Sequence, residues 1–141
     1  METTNKLITI KTQVNADIGK VWDLFTKPEH IRKWYHASDD WHAPYAENDL
    51  RVGGKFKTTM EARNESEGFD FEGEYTRIQK NKLIEFNITD GRKVSIEFTD
   101  NGKKTKIVEV FEPESVNSEE LQKSGWQAIL DNFKKYAETS L

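Results

Sequence analysis

The pattern of apolar and polar positions begins with alternation. Over residues 6–14, Ile8, Ile10, Thr12 and Val14 share one side of an extended chain, which predicts a strand with one buried face. The period then changes. Ile18, Val21, Trp22 and Phe25 stand at i, i+3, i+4 and i+7, one face of a helix, with Asn15 or Asp17 placed to cap it. Pro28 suits the first turn of a second short helix, where its missing N–H would have no partner anyway; Ile31 and Trp34 ride on this helix. Residues 35–50 show no period and read as a long irregular loop, a kind of segment that is usually functional or mobile.

Strict alternation returns after Gly53-Gly54. Phe56, Thr58, Met60 and Ala62 form one row, Phe69, Phe71, Gly73 and Tyr75 the next, then Ile84, Phe86 and Ile88, then Val94, Ile96 and Phe98. Residues 105–111 make the last strand. Asp90-Gly91 and Asn101-Gly102 are hairpin signals, and residues 64–68 and 79–82 also read as turns. Pro113 ends the sheet. Asn117 with Glu120 three residues on resembles a capping box for a helix over residues 118–138. Its apolar stripe is Trp126, Ile129, Leu130, Phe133, Tyr136 and Ala137. The predicted order is strand, two short helices, five-stranded meander, long helix. This is an α+β protein in which a six-stranded antiparallel sheet buries one face on the long helix.

Composition narrows the chemistry. With 141 residues the chain is expected to form a single domain over 1–141. It has no cysteine, which excludes thiol catalysis and disulfides. Lys and Arg number 21 against 25 Asp and Glu, so the basic excess of a nucleic-acid binder is missing. No apolar run is long enough to span a membrane, and no basic start leads into an apolar stretch, so a cytoplasmic location is expected. No glycine-rich phosphate loop and no G-x-S-x-G elbow occur. What stands out is 4 Trp, 8 Phe and 4 Tyr in a chain that is 33% charged. Those rings can build a dense core or line a pocket.

Several segments carry a family resemblance over nearly the whole chain. They are Val21-Trp22, Pro28-Glu29 with Trp34, Asp49-Leu50-Arg51-Val52-Gly53-Gly54-Lys55-Phe56, Phe71-Glu72-Gly73-Glu74-Tyr75, and residues 125–133 from Gly125-Trp126 to Asn132-Phe133. In this order they resemble the START-like (SRPBCC) superfamily. Within it they look like a stand-alone, bacterial-type member of the branch named after the C-terminal domain of the activator of Hsp90 ATPase. The resemblance implies a helix-grip fold, a curved sheet wrapped around a long C-terminal helix, with a cavity between them in which many relatives bind a hydrophobic small molecule. The branch's name alone implies a stress or folding role and a possible chaperone contact.

Three candidate sites follow. In a grip fold the concave face presents Phe56, Met60, Phe71, Tyr75, Phe86 and Ile96, and the helix answers with Trp126, Ile129 and Phe133. Aromatic walls with few polar groups are what small-molecule pockets use, although the same rings can fill the space at native density. Trp22 and Trp34 read as core. The segment His36-Ala37-Ser38-Asp39-Asp40-Trp41-His42 holds imidazoles and carboxylates, but at no recognised metal-ligand spacing. It reads better as a rim, with Trp41, His42 and Tyr45 touching the ligand, or as a surface loop with Trp41 as a plug. For acid–base chemistry, Glu72 and Glu74 should face solvent by parity, and His42 is the first titrating group to consider.

The reading expected from sequence is therefore a binding protein for a small hydrophobic or amphipathic molecule, with no cofactor, no catalytic residue and no metal. No nucleic acid and no membrane insertion are expected, and the protein is expected to be a monomer or weak homodimer. The alternatives are a chaperone-associated module and, behind it, a cyclase- or hydrolase-like enzyme in the same cavity.

Overall fold

The computed structural model describes residues 7–139. Its elements run β1 (Ile8–Val14), α1 (Ile18–Thr26), α2 (Pro28–Trp34), β2 (Trp41–Asn48), β3 (Lys55–Ala62), β4 (Gly68–Gln79), β5 (Leu83–Ile88), β6 (Lys93–Asp100), β7 (Thr105–Phe111) and α3 (Glu119–Thr139). Lys6, where the alternation starts, lies outside the described residues. Both short helices start as their sequences dictate. The Asp17 carboxylate accepts from the Lys20 N–H at 3.0 Å, and Pro28 occupies the first turn of α2. At α3 the cap is Ser118 rather than Asn117. The Ser118 hydroxyl accepts from the Leu121 N–H at 3.1 Å, whereas Asn117 is held by the Glu114 carboxylate.

The sheet has seven strands, one more than the alternation predicts, all antiparallel in the order β1-β7-β6-β5-β4-β3-β2. The extra strand is β2, inside the stretch that reads as a loop. It escapes a periodicity search because its register on β3 shifts between His42 and Tyr45, so alternation breaks at Ala43-Pro44. Proline is tolerated there because β2 is an edge strand and owes no N–H to a further neighbour.

The sheet curls around α3. The second half of the helix fills the concave side with Leu130, Phe133 and Ala137, against Ile10, Val14, Ile107 and Phe98 from the sheet and Trp22, Phe25 and Trp34 from α1 and α2. Phe133 meets Phe25 at 5.0 Å and Trp34 at 4.8 Å between ring centroids, both edge to face. The Trp34 indole N–H donates to the Leu24 carbonyl at 3.0 Å, which ties α2 to α1. At the β1 edge, Gln127 and Lys134 of α3 donate side-chain hydrogen bonds to the carbonyls of Lys11 and Gln13, at 3.2 and 2.8 Å. No helix among the described residues is long and apolar enough to cross a membrane.

Candidate functional site

The first half of α3 does not close onto the sheet. A cavity of about 460 Å³ lies between them, within the range of small-molecule sites. Two aromatic contacts set its height. Trp126 stacks flat on Phe111 at 3.8 Å, which props the helix on β7, and it meets Phe71 of β4 edge-on at 5.9 Å. Phe71 is the hub of the wall, touching Tyr35, Phe56, Phe86 and Trp126. Phe56 can lie across β4 because its register partner is Gly73, where a Cβ would stand 2.7 Å from the Phe56 ring. The far wall is fixed by a relay of polar groups. The Tyr75 hydroxyl donates to the Asn48 side-chain carbonyl, and the Asn48 amide donates to the Thr26 carbonyl at 2.6 Å, joining β4, β2 and α1. Phe69 and Leu121, 53% and 61% exposed, mark the open end.

Of the residues singled out in the sequence, Trp41, Phe56, Met60, Phe71, Tyr75, Phe86, Ile96, Trp126 and Ile129 line this space. His42, Tyr45 and Phe133 do not. His42 alternates with Trp41 and so points away from the cavity, to within 3.3 Å of the Glu61 carboxylate across the β2–β3 pair. Tyr45 follows the register shift, is exposed, and its hydroxyl donates to Glu47 at 2.6 Å. Phe133 lies one turn beyond Ile129 and is spent wholly in the dry core. Asp39 and Asp40 are exposed, and among the described residues no three His, Asp or Glu side chains converge to hold a metal. Glu72 and Glu74 are exposed, as parity predicts.

Polar residues that sequence reasoning missed also line the cavity. Glu109 sits in the inward row of β7 with Thr105, Ile107 and Phe111, directly opposite Ile10 on one side and Ile96 on the other. It is 9% exposed. No side-chain hydrogen bond or ion pair joins it to any described residue, and burial pushes its carboxyl up to about 8. Tyr35, just after α2, brings a phenol whose ionisation is pushed upward first by burial and then by Glu109. His36 also borders the space. Its Nε2 lies 3.1 Å from the Asn132 amide nitrogen and serves as acceptor, so the proton sits on a buried Nδ1 with no partner. Burial, then the charge of Arg63, holds this imidazole below its usual value. The signal for Glu109 was present in the sequence, since it breaks an inward apolar row at a position fixed by parity. Tyr35 and His36 lie in an aperiodic stretch, and nothing in the sequence aims them inward.

A curled antiparallel sheet holding a long C-terminal helix over an aromatic cavity defines an α+β helix-grip protein of START-like architecture. A family model described as Activator of Hsp90 ATPase homolog 1-like protein matches residues 15–138, and the chain belongs to that family. Solved structures agree. The AHSA1-like protein of Aeromonas hydrophila is 38% identical, with a TM-score of 0.90 over 96% of this chain and 94% of its own. A Cytophaga hutchinsonii protein is 53% identical, with a TM-score of 0.81 over 94% of this chain and 92% of its own. A Nitrosomonas europaea protein, 18% identical with a TM-score of 0.80 over 95% of each chain, shares the fold. No curated protein matches the chain.

Proposed function

We propose that this protein binds a small hydrophobic or amphipathic molecule in the space between the sheet and the first half of α3. The observation that carries the reading is the cavity of about 460 Å³, walled by Phe56, Phe71, Phe86 and Trp126. Residues with this many ring contacts normally close on one another, because interiors pack at crystal-like density. Here the Trp126–Phe111 stack holds the helix away from β3 to β6. An apolar ligand would recover the contacts that the walls lack.

Gly125 gives the test. It borders the cavity, and a Cβ placed there meets nothing within 4 Å. A Cβ is therefore accommodated there and favours the helix, and Gly125→Leu adds apolar volume at the border of the cavity. Titration with the neutral fluorophore N-phenyl-1-naphthylamine should give saturable enhancement and a raised Tm for the parent protein. The variant should keep its fold and lose at least about tenfold in affinity, equivalent to 1.4 kcal/mol. Equal binding by both proteins, or none by either, overturns the reading. The chaperone-module reading rests on the family's description and has no observation of its own in the structure.

A further inference from the structure

We propose that Glu109 makes this cavity a receptor for amines, taking an apolar, ring-bearing molecule whose ammonium group pairs with the Glu109 carboxylate. The inference rests on the ligand-cavity reading and deepens it. Glu109 is nine-tenths buried, borders the cavity and has no hydrogen-bond or charge partner among the described residues. A buried polar group without a partner is costly, and one left so beside an open space is matched by whatever fills that space.

The chemistry of the group points to a cation. If the site needed only a neutral donor, an amide or hydroxyl would serve with no ionisation cost. What a carboxyl adds is the capacity to become an anion when a positive charge arrives. The surroundings suit that charge. Tyr35, Phe71, Phe86 and Trp126 border the space, and the face of an aromatic ring attracts a cation. The Tyr35 hydroxyl has no hydrogen-bond partner among the described residues and is free to accept a second N–H.

The protein's own charges near the cavity are otherwise engaged. Arg92 is held by Asp90 at 2.9 Å and by the Glu112 carbonyl at 3.4 Å. Glu114 accepts from the N–H groups of Val116 and Asn117 and from the Asn117 amide, each at 2.7 Å. Burial, then Arg63, holds the His36 imidazole below its usual value. Tyr75 donates to Asn48. The facing positions on β1 and β6 are Ile10 and Ile96, and α3 offers Gln122, Gly125, Trp126 and Ile129, none of which titrates.

The sign of the pH dependence separates this proposal from its rival. With no ligand beside it, Glu109 has its carboxyl pushed up to about 8 by burial and keeps its proton below that. An ammonium ligand must expel that proton, so its affinity rises with pH until Glu109 is ionised. A carbonyl ligand accepting from protonated Glu109 would lose affinity over the same range. Calorimetric titration at pH 6, 7 and 8 with tryptamine and its neutral isostere tryptophol decides between them, with N-phenyl-1-naphthylamine as the neutral reporter of the cavity.

Tryptamine should bind at least about tenfold tighter than tryptophol at pH 8, and its affinity should rise by up to about tenfold per pH unit below that, with one proton released. Glu109→Gln should abolish both the preference and the slope while still binding the neutral reporter. The pH series on the parent protein stands even if that variant misfolds. Equal binding of the two indoles, an amine affinity that falls with pH, or a preference retained in a folded Glu109→Gln overturns the amine assignment. If the neutral reporter binds in those cases, the cavity reading survives. If neither the reporter nor the indoles bind, both fall.

Discussion

Glu109 imposes a free-energy cost on the folded state that varies with pH. Its carboxyl titrates near 8 when folded and at the ordinary carboxylate value when unfolded. Between those values the unfolded chain releases a proton that the folded one retains, so stability falls as pH rises from about 4.5 to about 8 and is flat beyond. The loss amounts to roughly a few kcal/mol at most. Glu109→Gln removes it. Urea denaturation should find the variant close to the parent at pH 4.5 and more stable by roughly that amount at pH 9. A variant that is less stable at pH 9 would mean that the carboxylate is satisfied in a way its surroundings do not reveal. A buried acid that lowers stability is the kind of local inconsistency that sequences carry at functional positions. It was also legible in the sequence. Once residues 105–111 are a strand with Ile107 and Phe111 facing in, Glu109 must face in as well. His42 misled for the converse reason, since its identity suggested chemistry while its parity, uncertain beside Ala43-Pro44, turned it outward.

At the scale of elements, legibility follows how regularly each one buries a face. β1, β3 and β5 to β7 each set one row against a helix or the cavity, and β4 does so as far as Tyr75, where its register on β5 shifts, so their side chains alternate and their ends fall at turn residues. β2 has a neighbour on one side only and a shifted register, so its hydrogen bonds make it a strand while its side chains do not announce one. The helices are legible through their stripes. The sequence does not reveal, however, that the α3 stripe divides in two, with Trp126 and Ile129 over a cavity and Leu130, Phe133 and Ala137 in solid core. That division depends on where the Trp126–Phe111 stack stops the helix, which is a tertiary distance.

The β3–β4 pairing carries an element-scale prediction. Gly73→Ala would place a Cβ 2.7 Å from both the Phe56 ring and the Asn87 carbonyl. The carbonyl belongs to the β5 ladder and cannot yield, so the ring must. The variant should lose about 1–3 kcal/mol by urea denaturation and bind the neutral fluorophore less well. Gly125→Ala, which meets nothing within 4 Å, should gain up to about 1 kcal/mol and serves as the control. Equal stability of the two variants would remove the claim that Gly73 seats Phe56.

At the scale of the whole molecule, ten of the sixteen Trp, Phe and Tyr rings form two groups. Trp22, Phe25, Trp34, Phe98 and Phe133 interlock edge to face as a dry cluster under the second half of α3. Phe56, Phe71, Tyr75, Phe86 and Trp126 also meet largely edge to face, but as the wall of the cavity. The two ends should therefore differ in local stability. Amide hydrogen exchange should be slowest in β1, β6, β7 and residues 130–137, and faster in β3, β4 and the first turns of α3. Added ligand should slow the second set and leave the first unchanged. Uniform protection over both halves would count against this division.

The side chains laid along the two outer strands have a consequence for behaviour at high concentration. An open sheet exposes a ladder of unpaired backbone groups at each edge, which other chains can extend into aggregates. Here one edge ladder is partly occupied, because Gln127 and Lys134 take the carbonyls of Lys11 and Gln13. The other is broken by Pro44 and the shifted register around it. Neither edge offers an incoming strand an unbroken run of partners. The helix that roofs the cavity thus also interrupts one margin of the sheet, which works against self-templated growth.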